Sequence, residues 1–133
     1  MVKICKWYAK KTKIFTYLNS YQKGLFAEKT ARAFLERQGL KYLDQRYKTK
    51  LGEIDLVMLD HDILVFIEVK YRTKNCCYPI NESISESKLR KINMTSQLFC
   101  QNFKLFHLSQ RIDAVFIESN CNKNRIQWLK DIH

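Results

Sequence analysis

Apolar residues recur at helical spacing in two segments of the chain. The first segment, residues 24–39, repeats apolar side chains three or four positions apart at Ala27, Ala31, Phe34 and Leu35. The second segment, residues 84–103, repeats small or apolar side chains at Leu89, Ile92, Ser96, Phe99 and Phe103. Both patterns predict helices. Gly39 can end the first helix in a left-handed conformation, and Ser83 with Glu86 has the spacing of a capping box at the start of the second.

Five shorter runs carry the composition and alternation of strands. They are predicted over residues 40–47, 51–59, 63–71, 111–118 and 125–129. Polar turns are predicted at 60–62 and 120–124, and a loop at 72–79. The order of one helix, three strands, one helix and two strands predicts an α/β fold, with a mixed sheet flanked by helices.

The second and third predicted strands form a hairpin that is apolar near its turn and ionic at its far end. Because side chains alternate between the faces of a strand, Glu53 and Asp55 share one face, as do Glu68 and Lys70. A two-residue turn at 61–62 would set Asp55 opposite Glu68 and Glu53 opposite Lys70. The other face is predicted to be apolar throughout, as in strands covered on both sides. Its residues are Ile54, Leu56, Met58, Ile63, Val65, Ile67 and Val69.

The charge of the chain separates this hairpin from its surroundings. The 133 residues carry 24 Lys and Arg against 13 Asp and Glu, a net charge of +11, and 46% of them are hydrophobic. This composition excludes a disordered acidic or collagen-like chain, and the positive charge favours nucleic acid over a membrane surface as the partner. Residues 51–70 reverse the sign, with five acids against Lys70 alone.

The N-terminal residues 1–23 hold six Lys and no acid, and we interpret them as a basic extension before a single domain over 24–133. Two readings of this extension stay open: an amphipathic helix or arm that contacts phosphates, and a solvated, partly helical extension. No apolar run is long enough for a membrane span, and no secretory signal is evident. Five cysteines without metal-ligand spacing predict reduced thiols in a cytoplasmic protein.

The ionic end of the hairpin suggests a metal site. Glu53, Asp55 and Glu68 would repel one another, and Lys70 supplies only one compensating charge. Mg²⁺, which takes one or two carboxylates and retains several waters, fits the remainder. Beside it, Lys70 could hold or activate the attacking water and steady the charge on a phosphate. The alternative is a Glu53–Lys70 ion pair across the strands, with the other two carboxylates at solvated strand ends.

The pattern G-E-x-D, followed by E-x-K thirteen residues after Asp55, resembles the site of the PD-(D/E)xK, restriction-endonuclease-like nuclease superfamily. It is more similar still to the YraN-type family of small uncharacterised proteins, which is related in fold to archaeal Holliday-junction resolvases. The resemblance covers about residues 24–130, although Ile54 stands where the superfamily's Pro would precede the Asp. The residues that carry it are Gly24, Glu28, Ala31, Leu35, Gly39, Gly52 to Leu56, Val65 to Lys70, Arg72, Lys88 and Arg111 to Val115.

The resemblance implies an α-β-β-β-α-β core and hydrolysis of phosphodiester bonds with Mg²⁺ or Mn²⁺ as cofactor. Asp55 and Glu68 would be metal ligands, Lys70 the catalytic lysine, and Glu28 the first-helix acid that completes the site through water or directly. For Glu28 the alternative is an ion pair with Arg32, four residues along the same helix.

Four basic residues are expected to contact the nucleic-acid backbone, with Glu53 in a supporting role at the site. These are Arg72, Lys88, Lys48 and Lys50. Lys88 is equally interpreted as a solvated lysine near a helix start, and Asp113 as a residue that pairs across strands.

The leading functional hypothesis is a metal-dependent nuclease acting on DNA rather than RNA, with branched or structured DNA among its candidate substrates. Paired cuts in a junction would require a symmetric homodimer. The alternatives are a non-catalytic nucleic-acid-binding or scaffold protein with this fold, and a basic RNA-associated protein.

Overall fold

The computed structural model describes residues 19–73, 84–119 and 124–133. Within these ranges the chain forms two helices and five strands in the predicted order. They are α1 (Ser20–Arg37), β1 (Lys41–Lys48), β2 (Glu53–Asp60), β3 (Ile63–Thr73), α2 (Glu86–Phe103), β4 (Ser109–Ser119) and β5 (Asn124–Leu129). The predictions for residues 1–18, for the loop beyond residue 73, for Ser83 and for the turn at 120–123 lie outside the described residues.

Helix α1 begins four residues before its predicted start because the chain carries a capping box further upstream. The side chain of Asn19 accepts a hydrogen bond from the backbone amide of Gln22 at 2.9 Å, and the side chain of Gln22 accepts one from Asn19 at 3.1 Å. The helix ends at Arg37, and Gly39 follows with a φ of 99°. The predicted left-handed glycine at the end of this helix is therefore confirmed.

Helix α2 begins at Glu86, two residues later than predicted. Its N-cap is Ser85, whose hydroxyl accepts a hydrogen bond from the backbone amide of Lys88 at 3.2 Å. The helix ends at Phe103, as predicted, and Lys104 adopts the left-handed conformation after it.

The five strands form one mixed sheet in the order β1-β2-β3-β4-β5. All neighbouring pairs are antiparallel except β3 and β4, which run parallel and are connected through α2. This five-stranded mixed sheet flanked by two helices has the restriction-endonuclease-like α/β architecture that the resemblance implied.

The two helices cover opposite faces of the sheet, so the central strands are buried on both sides. The cluster beneath α1 contains Ala27, Ala31, Leu35, Leu40, Leu56, Met58, Val65, Ile67, Val115 and Ile117. The cluster beneath α2 contains Ile54, Val57, Leu64, Phe66, Ile92, Phe99 and Cys100. Burying apolar area on both faces stabilises the hairpin of β2 and β3 at the middle of the fold.

The predicted face of Ile54 is wrong. Leu56 and Met58 pack beneath α1, as expected from alternation, but Ile54 packs beneath α2 with Val57. Ile54 and Leu56 are two positions apart and would share a face in a regular strand, yet they point to opposite faces. The alternation of β2 is therefore interrupted at Asp55.

A buried carboxylate in the first half of β4 connects this strand to its neighbours. Asp113 is fully buried. It accepts hydrogen bonds from Arg111 Nε at 2.8 Å, from Trp128 Nε1 of β5 at 2.9 Å and from the backbone amide of Asp131 at 2.9 Å. The expectation that Asp113 pairs across strands is confirmed, and its role is to join β4, β5 and the residues that follow β5.

Neither helix in the described ranges is long and apolar enough to cross a membrane. The described residues include one of the five cysteines, Cys100, which is a buried free thiol.

Candidate active site

The candidate site lies where β2 and β3 separate. The two strands pair in the predicted register from Asp60 opposite Ile63 to Leu56 opposite Ile67. At the next position the side chain of Asp55 replaces a backbone acceptor, because its Oδ2 accepts a hydrogen bond from the backbone amide of Val69 at 2.8 Å. This bond fixes one carboxylate oxygen of Asp55 against β3 and leaves Oδ1 for another partner.

Glu68 is a buried carboxylate held by two lysines. Its side chain is 3% exposed, with Oε1 3.0 Å from Lys70 Nζ and Oε2 3.2 Å from Lys88 Nζ of α2. The second contact lacks hydrogen-bond geometry, and Oε2 has no hydrogen-bond partner within the ranges that the structure describes. A buried acceptor without a donor is costly, so Lys88 compensates the charge of this oxygen without satisfying it as a hydrogen-bond acceptor.

Asp55 is electrostatically linked to Glu68. Burial, followed by the negative charge of Glu68, raises the pKa of Asp55 from 3.8 to about 7, whereas the Val69 amide and Lys88 act in the opposite direction. Near neutral pH, Asp55 therefore takes up a proton more readily than a solvated carboxylate does.

A second group of carboxylates surrounds Arg46 of β1. Arg46 Nε lies 3.7 Å from Glu28 Oε2 and 3.5 Å from Glu53 Oε1, and Lys48 Nζ lies 3.5 Å from Glu53 Oε2. Burial raises the pKa of Glu28; Arg46 opposes this shift, and the charges of Glu53 and Glu68 add to it. The pKa of Glu28 is therefore affected both by Glu53, beside Arg46, and by Glu68, in the first group of carboxylates.

The predicted juxtaposition of Glu53 and Lys70 is wrong. Glu53 is opposite Lys48 of β1, to which it is ion-paired, and Lys70 pairs with Glu68. The reason is local: β2 and β3 stop pairing after Leu56, so the register that holds near the turn does not extend to Glu53. The alternative hypothesis of a cross-strand Glu53–Lys70 ion pair fails for the same reason.

The alternative partner considered for Glu28 is also not found. Arg32 instead donates a hydrogen bond to Glu36 at 3.1 Å and stacks on Tyr42, with its guanidinium carbon 3.5 Å from the ring centroid. Glu28 instead lies 3.7 Å from Arg46 Nε, and its role as a metal ligand stays a prediction.

The four residues expected to contact nucleic acid have different surroundings. Lys88 is ion-paired with Glu68 and is not simply a solvated lysine, and Lys48 is paired with Glu53. Lys50 is exposed in the turn between β1 and β2. Arg72 lies two residues beyond Lys70 on β3, with its guanidinium carbon 5.9 Å from the ring centroid of Phe116.

Sequence reasoning missed two participants, Arg46 and the backbone amide of Val69. A backbone donor has no sequence signal of its own. Arg46 belongs to no recognised motif, and its φ of 54° is a tertiary feature that a strand pattern does not reveal. In the structure, Gln45 opposite Leu56 and Tyr47 opposite Ile54 place Arg46 across from Asp55, and this register has no signal in the sequence.

Asp55 and Glu68 are the residues that could hold the predicted Mg²⁺ or Mn²⁺ ion, which would then retain much of its water. No group of three or more His, Cys, Asp or Glu side chains in residues 19–73, 84–119 and 124–133 is arranged to enclose a metal ion. Mg²⁺ is commonly held by one or two carboxylates together with waters and substrate phosphates. The unsatisfied acceptor Glu68 Oε2 and the raised pKa of Asp55 are compatible with such a two-carboxylate site.

Comparisons with known proteins cover the part of the chain that carries this site. The sequence profile of the uncharacterised protein family UPF0102 matches residues 27–117, from α1 through most of β4. A UPF0102 protein of Psychromonas ingrahamii is 42% identical over 100 residues, which are 75% of this chain and 81% of the relative.

Two further relatives also belong to the UPF0102 family. A UPF0102 protein of Pseudomonas syringae pv. syringae is 39% identical over 111 residues, 82% of this chain and 90% of the relative. A UPF0102 protein of a Marinomonas species is 35% identical over 106 residues, 80% of this chain and 84% of the relative. The resemblance to YraN-type proteins is thereby confirmed, and the chain belongs to the uncharacterised protein family UPF0102.

Proposed function

We propose that this protein is a Mg²⁺- or Mn²⁺-dependent nuclease that hydrolyses phosphodiester bonds of DNA, with branched or structured DNA among its candidate substrates. The observation that carries the proposal is the grouping of Asp55, Glu68 and Lys70 where β2 and β3 separate. A carboxyl group whose pKa is raised by burial and by a neighbouring charge marks a candidate functional site.

Asp55 and Glu68 would hold the cation. The Val69 amide orients Asp55 through Oδ2, and burial fixes Glu68. A bound cation would supply Lewis-acid stabilisation of the charge that develops on the phosphate.

Lys70 is suited to act on the reacting groups. Its ammonium lies 3.0 Å from Glu68 Oε1, and its side chain is 35% exposed, so Lys70 is positioned by Glu68 and remains partly accessible to a substrate. It can donate a hydrogen bond to a phosphate oxygen or orient the attacking water, which reduces the entropic cost of reaching the transition state.

The basic residues around the carboxylates support a polyanionic substrate. Lys48, Lys88 and the exposed Lys50 lie on β1, on α2 and in the turn after β1, and the chain as a whole carries +11. Phosphate contacts from such lysines position nucleic acid without reading its bases.

The experiment that tests the proposal is a cleavage assay of the full chain against duplex, single-stranded, flap and four-way-junction DNA and against RNA. We expect cleavage of at least one DNA substrate with Mn²⁺ or Mg²⁺ and none with EDTA. Failure to cut any of these substrates with either cation would contradict the proposal.

One observation favours a second candidate, a non-catalytic nucleic-acid-binding protein. Each of the carboxylates Glu28, Glu53 and Glu68 already has a basic partner, so much of the negative charge is compensated without a metal. Such a protein would bind nucleic acid with a steep dependence on salt, because phosphate neutralisation releases counterions. Its binding and function would not change in Asp55→Ala.

A further inference from the structure

Arg46 of β1 has two locally unfavourable features. Its φ of 54° lies in the left-handed region, which residues other than Gly, Asn and Asp rarely adopt. Its Nε is buried, and no acceptor in the described ranges makes a hydrogen bond with it. Backbone strain and an unpaired buried donor both cost free energy, so the surroundings of Arg46 must favour its position for another reason.

That reason is charge. Nε lies 3.7 Å from Glu28 Oε2 and 3.5 Å from Glu53 Oε1, and neither contact is a hydrogen bond. The guanidinium is anchored from another direction, by the hydrogen bond that Nη1 donates to the hydroxyl of Tyr21 at 3.0 Å. Arg46 therefore acts on the two carboxylates as a positive charge between them, rather than as a directional donor.

The position of this charge is next to the candidate metal site. Strand register places Arg46 across from Asp55. The negative charges of Glu53 and Glu68 both raise the pKa of Glu28. The two groups of carboxylates are thus neighbours, and the one around Arg46 already contains its cation.

We propose that the Arg46 guanidinium fills a second cation position, between Glu28 and Glu53, so that the chain binds one divalent cation, at Asp55 and Glu68, instead of two. Carboxylate oxygens are the ligands that Mg²⁺ and Mn²⁺ prefer. An arginine stays charged at every accessible pH. The first cation rests on the function proposed above, whereas the position taken by Arg46 can be tested without it.

The test counts Mn²⁺ bound per chain by equilibrium dialysis, using the full-length protein. Arg46→Asn removes the charge but keeps a side chain that tolerates the left-handed backbone, and Arg46→Lys is the matched control that keeps the charge. We expect Arg46→Asn to bind one more Mn²⁺ than the wild type and Arg46→Lys to bind the same number as the wild type. The additional ion should persist in Arg46→Asn/Asp55→Asn and disappear in Arg46→Asn/Glu53→Gln.

Equal Mn²⁺ counts for Arg46→Asn and the wild type would overturn the proposal, since a purely structural ion pair predicts a loss of stability and no new site. A wild-type chain with a bound Mn²⁺ that is lost on Glu53→Gln would overturn it without any Arg46 variant. Failure of the proposed function gives a different result: the wild type and Asp55→Asn bind equal numbers of Mn²⁺, while Arg46→Asn still gains one.

Discussion

The carboxylate of Asp55 accepts a hydrogen bond from the backbone amide of Val69, 2.8 Å away, at the point where β2 and β3 cease to pair. A side chain thus takes the place of a backbone carbonyl in the ladder. This hydrogen bond fixes the orientation of the Asp55 carboxylate, which is partly buried next to Glu68. The orientation and the burial of Asp55 both follow from the interruption of β2.

Asp55→Asn is expected to stabilise the fold above neutral pH. The pKa of Asp55 is raised from 3.8 to about 7, so its stabilising contribution is complete below the unfolded value and is lost as pH rises through about 7. Asn cannot ionise, yet its side-chain oxygen can still accept from the Val69 amide. At about 1.36 kcal/mol per pKa unit, the gain above pH 7 is at most about 4 kcal/mol.

Urea unfolding of the wild type and Asp55→Asn between pH 5 and pH 8.5 measures this effect. The stability difference between the variant and the wild type should grow in favour of the variant as pH rises, and level off above about pH 7. A difference that is constant with pH would show that Asp55 does not titrate in this range.

A divalent cation is expected to stabilise the wild type and not Asp55→Asn. A ligand that binds only the folded state raises its stability by about 2.7 kcal/mol at 100 times the dissociation constant. Thermal unfolding with and without Mn²⁺ at pH 7.5 checks this. Equal shifts in the two proteins would place any bound cation away from Asp55.

Lys70→Ala is expected to abolish cleavage while DNA binding persists. Several positive charges surround the site. Among the described residues, Lys70 is the one whose ammonium contacts Glu68 Oε1, whereas Lys88 contacts Oε2. We expect cleavage to fall by about a hundredfold or more, the range found when a positioned proton donor is removed. The dissociation constant for DNA should change by less than about threefold.

The matched control for Lys70→Ala is Lys41→Ala, an exposed lysine at the opposite end of the β1–β2 ladder from Glu53. It should cleave at the wild-type rate. If both variants cleave equally well, Lys70 has no role in catalysis; if Lys70→Ala no longer binds DNA, its role is binding.

Gly52→Ala is expected to destabilise the protein by about 1–2 kcal/mol, as an overpacked position does. A methyl group at Gly52 would lie 3.1 Å from Thr95 Oγ1 and 3.2 Å from Lys91 Cβ. Thr95 is buried and its hydroxyl donates to the Lys91 carbonyl at 2.7 Å, so α2 has little freedom to yield. Guanidinium chloride unfolding measures the change.

Gly24→Ala provides the comparison, because a Cβ there meets nothing within 4 Å and the residue lies inside α1. This variant should be more stable than the wild type by about 0.5–1 kcal/mol. Equal effects of the two substitutions would show that the turn after β1 does not pack tightly on α2.

The sequence predicted the fold because its two signals, helical spacing and strand alternation, agree with each other along most of the chain. The register of β2 and β3 followed from the two-residue turn and holds from Asp60 to Leu56. It fails at Glu53 because the interruption at Asp55 arises from a side-chain hydrogen bond to Val69, which no alternation pattern contains.

The candidate site was predictable in its composition and less so in its contacts. Spacing on the hairpin predicted that carboxylates and Lys70 lie together, and the resemblance to nucleases singled out Asp55, Glu68 and Lys70. The positions of Arg46 and Lys88 depend on how β1 and α2 pack against that hairpin. These contacts join residues that are distant in the sequence, and the spacing of apolar and polar residues along the chain does not predict them.

The most direct test of a metal-dependent nuclease is DNA cleavage by the wild type and Asp55→Asn at pH 8 with Mn²⁺, with the thermal stability of the same two preparations measured at pH 8 without Mn²⁺. We expect the variant to be more stable than the wild type without Mn²⁺ and to cleave at least about a hundredfold more slowly with it, so that unfolding cannot explain the loss. Cleavage by Asp55→Asn at the wild-type rate, or no cleavage by the wild type, would contradict it.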